Sequence, residues 1–149
     1  IWTMQSSWHN LPEFEPESAQ YQQQPGLEFA ARDVAVSDAL DAITMNIAPA
    51  YGAVPGLGFY RRRVQLSANG LTLQEETDTV ALTLMSVEKP AVEGGIVQFG
   101  TLAAAHIKGF ARIATEAVSI TDSRLRQAWP DTLYRTRVYF RSTLTVEVR

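Results

Sequence analysis

Two of the chain's three tryptophans and one of its two histidines fall in the opening run Ile1-Trp2-Thr3-Met4-Gln5-Ser6-Ser7-Trp8-His9-Asn10-Leu11-Pro12. Indoles are apolar bodies with a polar rim, and an imidazole can bind a metal or move a proton near neutral pH. Such a run is either a liganded site or a polar cluster packed on an apolar wall. His9 is the first candidate ligand, although spacing alone favours a structural histidine. His106 closes the run Ala103-Ala104-Ala105 and stands beside Ile107 and Lys108, where a lone imidazole reads as structural.

Glu75, Glu76 and Asp78 form the densest acidic cluster. Paired carboxylates can do acid–base work, and several together can hold calcium. Adjacent residues of a strand point to opposite faces, however, so this cluster reads as solvated charge at a hairpin end. Tyr51, Tyr60 and Tyr134 could serve as bases only if a cleft receives them. The sequence carries no phosphate-binding loop, dinucleotide fingerprint, nucleophile elbow or EF-hand loop.

The elements that must position these residues read as strands. From Leu40 to Ala48, Ile43, Met45 and Ile47 alternate with Thr44 and Asn46. From Phe59 to Ser67, Tyr60, Val64 and Leu66 oppose Phe59, Arg61 and Arg63, and Asn69-Gly70 is a two-residue hairpin signal leading into Leu71–Glu75. Further strands are expected over 26–34, 79–87, 96–99, 102–107 and 110–120. In the closing run, Tyr134, Val138, Phe140, Leu144, Val146 and Val148 share one face and Arg135, Arg137, Arg141 and Glu147 the other. Asp122 can cap a helical turn ending at Trp129. Residues 13–25, with Pro16, Pro25 and four glutamines, read as a loop longer than most connections. Eight or more short strands with turn signals at this spacing predict an all-β fold, an antiparallel β-sandwich, as a single domain over residues 1–149.

Bulk composition narrows the partners. A net charge of −3 leaves no electrostatic footprint for nucleic acid, and Arg61-Arg62-Arg63 reads as a solvated strand face. No apolar stretch is long enough for a transmembrane helix. The absence of cysteine rules out disulfides and thiolate metal sites and suits cytosol and periplasm equally. The abrupt start, without an initiator Met, suggests an excised piece of a larger protein.

The opening stretch also carries a likeness. Trp2-Thr3-Met4-Gln5-Ser6 followed by His9-Asn10-Leu11-Pro12 resembles the heparinase II/III-like family of polysaccharide lyases. The resemblance continues through Gln23, Gly26, Glu28-Phe29-Ala30-Ala31-Arg32-Asp33-Val34, Ala48-x-Ala50-Tyr51 and Tyr60-Arg61-Arg62. It resumes at Asp122-Ser123-Arg124-Leu125, Trp129 and Leu133-Tyr134-Arg135, so it spans nearly the whole chain. One departure is Phe14-Glu15-Pro16-Glu17, where the family usually has Asn-Gly after its His-Asn motif.

The resemblance implies a C-terminal β-sheet region that follows an α/α toroid, in a protein that cleaves uronic-acid polysaccharides by β-elimination. Neutralising the uronate carboxylate acidifies the C5 proton; a tyrosine or histidine removes it while an acid assists departure of O4. The family's tyrosine, its toroid histidine and its His-x-His-Asn-Asp-like motif all precede the matching stretch, so no catalytic residue is expected here. His9 is implied as one ligand of a structural zinc whose other protein ligands also lie upstream. Zinc wants about four ligands, so His9 alone is an incomplete site, and no cofactor is expected in this piece by itself. The implied partners are an acidic polysaccharide and the toroid, and any homodimer is suspect as a product of excision. A uronate substrate points to the periplasm or the cell exterior, with the cytoplasm left open. Two other readings stand beside this one. One is an independent carbohydrate-binding sandwich using Trp2, Trp8 or Tyr21 as stacking platforms. The other is an unrelated interaction domain.

Overall fold

The structure is a computed structural model that describes residues 5–15 and 20–149, with Asp78 and Thr79 described in backbone only. Trp2 therefore lies outside the described residues. The strands are β1 (Pro12–Glu13), β2 (Arg32–Val36), β3 (Ala42–Asn46), β4 (Arg61–Ser67), β5 (Gly70–Ser86), β6 (Pro90–Glu93), β7 (Ile96–Phe99), β8 (Ala103–Ser119) and β9 (Thr132–Val148). Every pairing is antiparallel, in the order β2-β3-β4-β5-β9-β8-β7-β6, with β1 added beside the second half of β5. No helix among the described residues is long and apolar enough to cross a membrane.

The fold is all-β and antiparallel, as expected. Two separate sheets are not what the hydrogen bonding builds, because all nine strands among the described residues join one sheet. Nor are the strands all short. β5, β8 and β9 run 17 residues each, since 71–75 joins 79–87 and 102–107 joins 110–120. The residues that read as breaks are bulges. The register slips between Thr77 and Thr79 in β5 and on both sides of Phe110 in β8. Between them on β9, Ser142 adopts φ 62°. Gly109, at φ 84°, lies so close to the Thr143 carbonyl that a Cβ would collide with it. A bulge bends its strand and raises the local twist, and three aligned bulges crease the sheet.

The crease makes the core. Leu73, Ile107, Leu144 and Val146 on one side of it belong to the same buried cluster as Val80, Leu82, Val138 and Phe140 on the other. A straight strand would hold Ala103 and Ile120 roughly 55 Å apart, yet both line one groove. The expected strand over 26–34 is displaced to Arg32–Val36. Gly26 takes φ 127° in a turn closed by the Phe29 N–H on its carbonyl (3.2 Å), and Leu27 is left 97% exposed.

Candidate functional site: the groove beside His9

The opening stretch is held as a strap along the sheet. A 3-10 helix at Ser6–Trp8 is closed by the Trp8 N–H on Gln5 O and the His9 N–H on Ser6 O. The Ser6 hydroxyl donates to Gln22 Oε1 (2.9 Å) and accepts the Gln23 N–H (3.1 Å), while the Ser7 N–H also reaches Gln22 Oε1 (3.2 Å). The Gln-Ser-Ser run is thus a structural pin. Beyond it, the Met85 N–H donates to Asn10 Oδ1 (3.0 Å) and the Thr83 N–H to Leu11 O (3.1 Å), which leads the chain into β1.

These anchors leave His9 exposed at the mouth of a groove of about 560 Å³. Trp8, Asn10, Phe99, Leu102 and Trp129 share its lining. Trp129 enters from the turn that sequence predicts: Asp122 Oδ1 accepts the Arg124 N–H (2.8 Å), and the Trp129 N–H bonds Leu125 O (2.9 Å) around a 3-10 helix at Leu125–Gln127. Trp129 stays 49% exposed. A groove with two indoles, an imidazole and an amide can stack on the apolar face of a ring and bond its polar edge.

The other sequence candidates do not join it. His106 sits on β8 opposite Ile96 and Glu147, away from the groove lining. Tyr51 and Tyr60 are buried in the core, and burial pushes both phenols well above their ordinary range, so neither is a ready base. Tyr51 donates to Pro12 O (3.2 Å) and packs edge-on against Phe14, as Tyr60 does. Tyr134 is half-buried on β9, and Tyr21 packs against the core cluster instead of standing out as a platform.

The solvated-charge reading fails at two residues. Arg62 shares the inward parity of Tyr60 and Val64, and Glu75 that of Leu73, so both enter the core directly opposite one another. Arg62 Nε donates to Glu75 Oε1 (2.8 Å), its Nη2 to the same oxygen, and its Nη1 to Asn10 O (3.2 Å). Burial raises the Glu75 carboxyl pKa, with Arg62 opposing. Glu76, in contrast, faces outward and pairs with exposed Arg61 at 2.6 Å.

A second network lies under the strap and was not legible as a site. The Arg135 guanidinium lies 3.9 Å from the Trp8 ring centroid and donates to Glu116 (2.5 Å) and to Ser7 O (3.4 Å). Glu116 also accepts from Arg137 (2.9 Å), which bonds Glu13 (3.1 Å); Glu13 in turn accepts from the Thr83 hydroxyl. The sequence showed Arg135 and Arg137 on the polar face of the last strand. The signal it withheld was that this face is covered.

A metal fits only in part. His9 is a candidate imidazole donor, and among the described residues no group of three or more His, Cys, Asp or Glu that could hold a metal comes together. No family model matches the chain, and no curated protein does.

Proposed function

We propose that this chain is the β-sheet portion of a heparinase II/III-like polysaccharide lyase, forming one wall of the polysaccharide site and contributing no catalytic group. One observation carries the reading. Of the residues through which the opening stretch resembles that family, His9-Asn10-Leu11-Pro12 lie in the strap anchored beside an aromatic groove that His9 helps to line. In β-elimination the base must reach C5 and the acid O4. The buried phenols of Tyr51 and Tyr60 reach neither, and the family resemblance implies that both groups come from outside residues 1–149. In the complete protein, His9 would be one zinc ligand, with the remaining donors supplied from outside this chain.

A second reading, a free-standing carbohydrate-binding module, is favoured by one feature: Trp8 and Trp129 line the same groove, and Trp129 is exposed enough to stack. Calorimetric titration of residues 1–149 and of Trp129→Ala with uronate and neutral oligosaccharides tests both. The lyase reading expects uronate binding weakened about tenfold or more by Trp129→Ala, in line with an aromatic stacking contact. Equal binding of neutral glycans favours the module. No binding of any glycan removes the groove as a sugar site.

A further inference from the structure

We infer that Arg135 is the positioning residue of this groove: its covered guanidinium fixes Trp8 as a wall and, with the Arg137–Glu13 pair, holds the strap on both sides of His9. Arg135 sits on a strand face that alternation turns outward, yet its side chain is only 9% exposed. Covering a charge is costly unless its donors are used, and an apolar side chain would have seated an indole at less cost. Here the donors are used. The planar fork stacks on Trp8, bonds Glu116 at its edge and reaches Ser7 O, three tasks that an ammonium cannot perform together.

The same carboxylate carries the attachment onward. Glu116 takes Arg137 at 2.9 Å, and Arg137 takes Glu13 at 3.1 Å. The strap is therefore gripped at Ser7–Trp8 and again at Glu13, with His9 to Pro12 held between. Asn10 is fastened independently by Met85 N–H and Arg62. His9 and Asn10 line the groove from inside this bracket.

The inference rests on the groove being the glycan site proposed above, so the experiment reads two quantities. The indole resonance of Trp8 and the imidazole resonances of His9 are recorded by NMR in residues 1–149, in Arg135→Met, Arg135→Lys and Glu116→Gln. The same proteins are titrated with uronate oligosaccharides. Arg135→Met is expected to shift or broaden the Trp8 and His9 signals, leave the amides of β3 and β4 in place, and weaken binding about tenfold. Arg135→Lys should recover part of both. Glu116→Gln, at a position 44% exposed and safe for folding, should move both signals in the same direction by less. Unmoved Trp8 and His9 signals in both Arg135→Met and Glu116→Gln would overturn the inference, as would a methionine that serves as well as lysine. Should the unaltered protein bind no oligosaccharide, the proposed function fails while the resonances still decide the role of Arg135.

Discussion

Replacing Arg62 by Met should expose the internal electrostatics of the core. Glu75 is 1% exposed, and its Oε1 takes two donors from Arg62, while its Oε2 has no hydrogen-bond partner among the described residues. Removing the guanidinium leaves a buried carboxylate without its counter-charge. Breaking a buried pair in this way costs about 3–5 kcal/mol. The loss of the Arg62 bond to Asn10 O adds about 0.5–1.5 kcal/mol. The double variant Arg62→Met with Glu75→Leu removes both charges and should recover most of the first loss, because a well-packed apolar pair replaces an ion pair at little or no cost. Urea denaturation followed by circular dichroism measures each variant. The pH dependence supplies a second check. Burial raises the folded-state pKa of Glu75, and in Arg62→Met only the Tyr60 hydroxyl is left to oppose that rise. A carboxyl whose folded pKa lies above its unfolded value favours folding fully below the unfolded pKa, about 4.3. That contribution is lost as pH climbs through the folded value, so Arg62→Met should gain stability on mild acidification relative to the unaltered protein. A loss below about 1 kcal/mol, with no change in pH dependence, would refute the reasoning.

Gly70→Ala should cost more than the about 1–3 kcal/mol of backbone strain alone, because Gly70 takes φ 135° and a Cβ there would collide with the Val148 carbonyl. A melting temperature within a degree or two of the unaltered protein would contradict it. The Asp41 carboxyl is held below its ordinary value chiefly by the Ser37 hydroxyl at 2.6 Å, and then by the Gln65 amide at 3.1 Å. A depressed folded pKa gives stability that is present above the unfolded value, about 3.9, and lost as pH falls through the folded one. Carbon-detected NMR titration should place the Asp41 midpoint below the ordinary aspartate range, and a midpoint at or above that range would show that these bonds do not favour the charged form.

The strand parity was legible; its consequences depended on a two-residue difference in register. Tyr60 and Val64 mark the inner face of β4, and Leu73 marks that of β5, so Arg62 and Glu75 already carry inward parity in the sequence. Taking Asn69-Gly70 as the hairpin loop, however, sets Arg62 opposite Thr77 and hides the pair. The loop is Ala68-Asn69, because Gly70 must pass against the Val148 backbone, and that shift sets Arg62 opposite Glu75 and Arg61 opposite Glu76. Gly109 and the Thr77–Thr79 region read as strand ends for a similar reason. A bulge and a turn use the same residue types, and only the partner strand distinguishes them. The groove was beyond sequence reading altogether. His9 and Trp129 share it only because the sheet creases, and the crease depends on bulges aligned in three strands.

The function proposed above is that of the β-sheet portion of a uronate lyase whose chemistry lies outside residues 1–149. The measurement that tests it most directly is ultraviolet absorbance of unsaturated uronate product, with heparan, alginate and other uronate polysaccharides each offered to residues 1–149 and to the protein encoded by the complete gene. The account predicts product from the complete protein on at least one of them and none from residues 1–149 alone. Product from residues 1–149, or none from the complete protein on any uronate polymer, would contradict it.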